Sequence, residues 1–458
     1  MAYYYVIVLI ISFLSALEIK ASNILHKDPP PNQPYRTAYH FQPPKNWMNG
    51  PMIYKGIYHL FYQYNPQGPV WGNLVWAHST SEDLVNWTPQ PIALHPTSQQ
   101  SDINGCWSGS TTILPGERPA ILYTGRNQQS HEVQNLAIPK NLSDPYLIEW
   151  IKSPNNPLMA PNLENKINPS SFRDPSTSWL GHDGLWRVII GNEYERRGTA
   201  LLYRSKDFVQ WTKAKEPLFS TEGTGMWECP DFYPRAIPRK VWLDKSGKQL
   251  MQWPIREIEK LRTDKVSPLC TMLKGGSVLE VSGVTASQAD IEISFEISKF
   301  THAEKLDPTW TDPGAICSLK GASAVDGLGP FGLLVLASKN IQEYTAVFFR
   351  IFKRQIRCAY VPSSLHLDYD KPIYGAFLDV DPMKEKLSLR TLIDHSIVES
   401  FGGEGKACIT ARVYPSLAID EEAHLYAFNN GTENINISEL AAWSMNKAQM
   451  NNRLVQVS

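Results

Sequence analysis

One eight-residue phrase occurs twice in the chain, and it limits the possible folds more than any other feature. Ser81-Glu-Asp-Leu-Val-Asn-Trp-Thr88 matches Ser205-Lys-Asp-Phe-Val-Gln-Trp-Thr212 in register, both reading Ser-x-Asp-(Leu/Phe)-Val-x-Trp-Thr. Each copy follows short runs that alternate apolar and polar residues: Gly56 to Tyr64 before the first, Leu185 to Ile190 and Thr199 to Tyr203 before the second. Alternation sends successive side chains to opposite faces, as half-buried strands require. A unit that recurs over an all-β chain predicts a β-propeller, in which each blade is a small antiparallel sheet.

The second half has a different texture. From about Gly275 the strands lengthen and tryptophans thin out, as in Ile291 to Ile297 and Tyr344 to Phe352. Their spacing suits a β-sandwich. The chain has 458 residues, 42% of them hydrophobic, which is too long for one ordinary domain. The reading is therefore a propeller over 36–255, a linker over 256–271 and a sandwich over 272–450.

An apolar run from Val6 to Leu17, followed by small residues at Ala21-Ser22, reads as a cleaved secretory signal over 1–22. It is shorter than the roughly 20 residues of a membrane span, so no membrane partner is expected. Asn86, Asn141, Asn430 and Asn436 open N-glycosylation sequons, while Asn168 is excluded by Pro169. A net charge of −1 argues against a nucleic-acid partner. The six cysteines lack metal-ligand spacing, and neither a metal nor another cofactor is expected.

Two carboxylates stand in settings suited to catalysis. Asp174 sits beside Arg173 at a turn forced by Pro175, and Glu228 lies between Trp227 and Cys229, an apolar setting that would favour its protonated form. Retaining hydrolysis of a glycoside needs two such groups about 5–5.5 Å apart, one to attack and one to protonate the leaving oxygen. Taken alone, a turn-capping Asp paired with Arg173 and a strand-end surface Glu are the simpler readings of the two residues.

Further blocks decide between these readings. Asn46-Trp-Met-Asn49, Gly105-Cys-Trp-Ser-Gly109, Phe172-Arg-Asp-Pro175 and Trp227-Glu-Cys-Pro-Asp231 occur in the order seen in plant acid invertases and fructan exohydrolases, glycoside hydrolase family 32. Ala236 to Asp244, Gly327 to Gly332 and Leu392 to Glu399 agree as well, so the resemblance runs from about Tyr35 to Ala448. It implies a five-bladed propeller followed by a C-terminal β-sandwich. It implies release of fructose from sucrose or fructans with retention, with Glu228 as acid/base and Asp174 as transition-state stabiliser. Trp47, Met48, Asn49, Gln63, Trp71, Trp107, Ser108 and Arg173 would line the substrate. Pro230 is similar to the cell-wall branch, which implies a secreted apoplastic monomer and, as a further partner, a proteinaceous inhibitor. Cys317 and Cys358 are the candidate disulfide pair, with buried thiols the open alternative.

The chain departs from this pattern where the chemistry is most demanding. The family reads Asn-Trp-Met-Asn-Asp-Pro-Asn-Gly-Pro, whereas this chain reads Asn46-Trp-Met-Asn-Gly-Pro51. The missing Asp is the family's nucleophile. A second loss falls near 233–236, where only Pro234 and Arg235 separate two blocks that are far apart in relatives. About 80 residues are expected to be gone, close to two blades of ~40–45 residues each, which leaves the propeller incomplete. The 354–367 region has decayed from the family pattern too. Both larger losses are clean and in frame, as skipped exons or an imperfect gene prediction would leave them. Strand edges exposed at the break would make the isolated chain prone to association.

Overall fold

The alternating runs of the first half pair into three antiparallel sheets. The computed structural model describes residues 33–42, 51–230 and 238–450, apart from short breaks at 69, 98–100, 163–166, 269–270, 298–302, 306, 308, 323–327, 354, 364–372 and 382–384. The first sheet pairs β1 (Pro51–Tyr54), β2 (Ile57–Tyr64), β3 (Val75–Ser81) and β4 (Thr88–Leu94) in sequence order. The second does the same with β5 (Cys106–Leu114), β6 (Arg118–Arg126), β7 (Glu132–Pro139) and β8 (Trp150–Lys152). The third contains β9 (Phe172–Arg173), β10 (Trp179–Leu180), β11 (Trp186–Tyr194), β12 (Arg197–Ser205), β13 (Trp211–Lys213) and β14 (Phe219–Glu222). Its path runs β10-β11-β12-β13, with β9 on β11 and β14 on β12.

The repeated phrase is the turn between third and fourth strands, once from β3 to β4 and once from β12 to β13. Asp83 Oδ1 accepts from the N–H groups of Val85 (3.0 Å) and Asn86 (2.7 Å). Asp207 Oδ1 accepts from Val209 (2.9 Å) and Gln210 (2.8 Å) in the same way. Ser81 and Ser205 each donate their hydroxyl to that Asp. Leu84 and Phe208 take left-handed φ values of 63° and 66° to close the turn. A short side chain that bonds its own backbone two and three residues on is what makes the phrase recur.

Strand alternation decides which sheets touch. On β6, Ile121 and Tyr123 face the first blade and pack with Phe61 and Trp76. Ala120 and Leu122 face the third, against Phe172, Val188 and Tyr203. Thr111 Oγ1 donates to Pro51 O (3.0 Å), and Ser178 N–H donates to Thr112 Oγ1 (2.9 Å), which ties the leading strands of the three blades together.

Beyond the third blade the pattern breaks. A ribbon of β15 (Arg239–Leu243) and β16 (Leu250–Pro254) pairs with no other strand among the described residues. Three blades and this ribbon stand where the resemblance implies five blades, and the junction 231–237 lies outside the described residues. Phe219 at the end of the third blade is 49% exposed, and Leu243 on the ribbon 60%.

Two seven-stranded sheets form the sandwich. One joins β17 (Arg262–Val266), β18 (Thr271–Leu273), β20 (Gln288–Glu296), β26 (Leu387–Asp394), β27 (Ile397–Gly402), β28 (Ala407–Arg412) and β30 (Ile435–Met445). The other joins β19 (Ser277–Glu280), β21 (Glu304–Lys305), β22 (Phe331–Ala337), β23 (Tyr344–Lys353), β24 (Gln355–Ser363), β25 (Tyr374–Leu378) and β29 (His424–Asn429). Ile291, Ile293, Phe295, Phe331, Leu333 and Phe349 belong to the apolar layer between them. Residues 256–271, read from the sequence as a linker, carry a 3-10 turn at Arg256–Leu261 and then β17, which pairs with β30. Cys317 is buried in α1 (Pro313–Lys320), while the Cys358 side chain lies outside the described residues, as do residues 1–22, where a leader is expected.

The sandwich also holds the segment that leads into the first site block. Asp394, at the end of β26, accepts from the backbone N–H groups of Ala38 (2.6 Å), Tyr39 (2.9 Å) and His40 (2.7 Å). The His40 ring bridges Asp394 (2.9 Å) and Glu399 (3.5 Å), and Arg239 of the ribbon pairs with Glu399. All three of His40, Asp394 and Glu399 are buried.

Candidate active site

Arg173, Asp174 and Glu228 come together although 55 positions separate the first from the last. Arg173 ends β9 and extends one guanidinium nitrogen to Glu228 Oε1 at 2.7 Å. Its other terminal nitrogen donates to both oxygens of Glu132, at 2.9 and 3.1 Å. Asp174 follows with φ 66° and is 5% exposed. Its N–H donates to Thr124 Oγ1 (2.9 Å), and its Oδ2 accepts from the Cys229 N–H (2.9 Å). Cys229 has φ 49°, so two non-glycine residues in the left-handed region face each other across this contact. Such strain persists only where surrounding bonds hold it. Trp227 reaches its place because Gly191 has no side chain: a Cβ there would stand 1.8 Å from the Trp227 carbonyl oxygen.

The electrostatics differ from the sequence expectation. Burial pushes the Asp174 carboxyl up to about 6, against the pull of Arg173 and the Cys229 N–H. Arg173 is also penalised by burial, yet Glu132, Asp174 and Glu228 hold its affinity for the proton above the ordinary value. Glu228 was expected among desolvating neighbours. Its side chain is instead 48% exposed and ion-paired to Arg173. Asp174 is the enclosed carboxyl.

A second group lies on the first two blades. Ser108 Oγ donates to Gln63 Oε1 at 3.3 Å. The amide nitrogen of Gln63 is buried and has no hydrogen-bond partner among the described residues. Trp107 donates its ring N–H to Gly72 O (2.8 Å), and Trp71 meets it edge to face at 5.6 Å. Trp71 is 43% exposed, which leaves part of an aromatic surface open. The two groups approach across β6. Gly109, next to Ser108, pairs with Tyr123, and the following residue, Thr124, holds Asp174. Trp47, Met48 and Asn49 lie outside the described residues, and no residue group that could hold a metal ion occurs among those described.

Sequence reasoning missed Glu132, Gln134 and Thr124. Glu132 Oε2 accepts from the Phe172 N–H (2.8 Å), and Gln134 Nε2 donates to Phe172 O (2.7 Å). Thr124 donates to Gln134 Oε1 (3.0 Å). The available signal was polar residues in a strand that is otherwise core: Glu132, Gln134 and Asn135 are all buried on β7. Asp102, a buried carboxylate ahead of β5, is fully committed elsewhere. It accepts from Lys152 (2.5 Å), the Tyr123 hydroxyl (2.6 Å) and the Thr97 N–H (3.1 Å).

A propeller-type domain with paired carboxyl groups, followed by a β-sandwich, defines a class of glycoside hydrolases. Residues 40–236 match the Glycosyl hydrolases family 32 N-terminal domain and 257–444 the family's C-terminal domain, so the chain belongs to glycoside hydrolase family 32, whose members hydrolyse glycosyl bonds. It is 50% identical to an insoluble β-fructofuranosidase isoenzyme of Arabidopsis thaliana, with 93% of each chain covered. It is also 50% identical to a fructan 6-exohydrolase of Beta vulgaris, with 92% of this chain and 88% of that one covered. Among solved structures, fructan 1-exohydrolase IIa from Cichorium intybus superposes with a TM-score of 0.86 at 42% identity, covering 91% of this chain and 98% of that one. The Arabidopsis match runs over 543 aligned positions against the 458 residues of this chain, so at least 85 positions have no counterpart here.

Proposed function

We propose that this chain retains a fructoside-binding site of the cell-wall invertase and fructan exohydrolase type but lacks the nucleophile for turnover. The observation that carries the reading is the contrast between two parts of the site. Arg173, Asp174 and Glu228 are gathered by buried, specific contacts. The stretch that should bring the attacking carboxylate reads Asn49-Gly50-Pro51. Glu228 is the acid/base by position, Asp174 the group that stabilises positive charge and binds sugar hydroxyls, and the orphaned Gln63 amide a donor to sugar. Names of relatives, which include cell-wall and insoluble isozymes, support secretion to the apoplast. Sucrose and fructans are the substrate class, since a relative's crystal complex holds 1-kestose. Calorimetric titration with 1-kestose and sucrose tests binding. Heat of binding that Asp174→Ala abolishes supports the reading, and no binding to either sugar refutes it.

A second reading follows from the clean edges of the two losses. A transcript encoding Asp-Pro-Asn after Asn49 and a longer segment after Tyr233 would make the natural protein an active β-fructofuranosidase or fructan exohydrolase. A transcript without them leaves a non-catalytic sugar-binding or regulatory relative in the cell wall.

A further inference from the structure

The four sequons divide into two structural kinds. At Asn86 both ends of the side-chain amide are in use: Nδ2 donates to Asp83 Oδ2 (2.8 Å), and Oδ1 accepts from the Gln449 N–H (2.7 Å). The neighbouring Trp87 N–H donates to Gln449 O (3.0 Å), and Trp87 bridges to Met450. Asn86 therefore fastens the 449–450 segment to the first blade. Its counterpart in the second copy of the turn, Gln210, supplies only a backbone N–H to Asp207. This makes the amide contacts of Asn86 an addition to the turn and not part of it. Asn430 is half-buried. Its Nδ2 donates to Ala322 O (2.9 Å), just beyond α1, and its backbone N–H to Pro330 O (2.8 Å).

The other two asparagines differ on each count. Asn141 is exposed in the turn after β7, and its Oδ1 accepts from the Ser143 N–H (2.9 Å) within that turn. Asn436 is exposed on β30, where only its backbone position is fixed, opposite Met272 and Glu296. For neither is a partner of Nδ2 recorded among the described residues.

We propose that N-linked glycan sits on Asn141 and Asn436, and that Asn86 and Asn430 remain unmodified structural asparagines. Glycan is attached through Nδ2, so it replaces one N–H and places a bulky sugar at that atom. On Asn141 and Asn436 that volume is solvent. On Asn86 it falls between Asp83 and Gln449, and on Asn430 against the Ala322 carbonyl. A chain modified there before folding cannot close these contacts, so the secreted folded population is depleted of it. The proposal rests on the secretory reading given above.

The test is glycopeptide mass spectrometry on the full chain secreted from plant or insect cells. Occupancy at Asn86 and Asn430 should be at least tenfold below that at Asn141 and Asn436. Comparable occupancy at Asn86 or Asn430, or secreted protein bare at Asn141 and Asn436, overturns the proposal. Protein retained inside the cell with no glycan anywhere instead overturns the secretory reading, and the proposal with it. As a second measure, Asn86→Gln should lower the melting temperature by a few degrees while Asn141→Gln leaves it unchanged. Equal effects would contradict the division.

Discussion

Glu132 and Cys229 decide how Asp174 and Arg173 are presented, and both act through groups that a sequence motif does not record. Glu132 binds one side of the Arg173 guanidinium and leaves the other free for Glu228. Asp174 is then left enclosed, with a carboxyl raised to about 6. An acid whose folded value exceeds its unfolded value binds its proton more tightly in the fold. Its contribution to stability is therefore greatest below about pH 4 and is lost as pH rises through about 6. Asp174→Asn removes the charge while keeping an acceptor for the Cys229 N–H. It should raise stability by roughly 3 kcal/mol at pH 7 and by little at pH 4. Denaturant unfolding of both proteins at the two pH values checks this, and a destabilised variant at pH 7 would show that the ionised form is the one the fold prefers. A gain in stability on removing a site carboxylate is the usual sign of a functional group held at a cost.

At the scale of elements, the segment over residues 35–42 is attached to the sandwich by charge. Burial disfavours the His40 imidazolium, but Asp394 and Glu399 outweigh it and raise His40 to about 9. Arg239 faces the same cluster through Glu399, and the two carboxylates are held below their ordinary values despite burial. A histidine raised in this way stabilises fully below its unfolded value near 6.5, and that stability, roughly 3 kcal/mol, is lost as pH rises through about 9. Hydrogen exchange at Ala38, Tyr39 and His40, corrected for intrinsic rates, should accelerate between pH 7 and 9.5. His40→Gln should exchange fast throughout. Protection in the unmodified protein that stays constant over this range would contradict the ionic account.

Legibility in the sequence follows the same division. The Ser-x-Asp turns were readable because Asp83 and Asp207 bond backbone two and three residues away. Asp174 and Glu228 were readable as local blocks. The Asp394 cluster links residues 354 positions apart, and Glu132 meets Arg173 across 41, so neither leaves a local pattern. The linker over 256–271 was misleading because its charges, such as Arg262 paired with Asp290, sit on a sandwich strand. The exposure of Glu228 could not be read from its apolar neighbours, since it depends on which distant parts of the chain pack over the Trp227 block and on the Arg173 pairing.

At the scale of the whole molecule, Phe219 on the third blade and Val241 and Leu243 on the ribbon are exposed, and the outer edges of both sheets are unpaired among the described residues. Edges of this kind template pairing with another chain. Light scattering should detect mass that grows with protein concentration, and thermal unfolding should show more than one transition as blades and sandwich melt separately. A concentration-independent monomer with one sharp transition would mean that the break is sealed within the chain. The central claim concerns turnover, and it is tested by fructose release from sucrose and 1-kestose. The chain of 458 residues is assayed beside one with Asp-Pro-Asn restored after Asn49 and the missing blade segment rebuilt. Without a carboxylate to attack the anomeric carbon no glycosyl-enzyme can form, and neither Glu228 nor Asp174 replaces it. The account predicts release at background for the unrestored chain and robust release for the restored one. Robust release by the unrestored chain would contradict it and require a nucleophile elsewhere in the site.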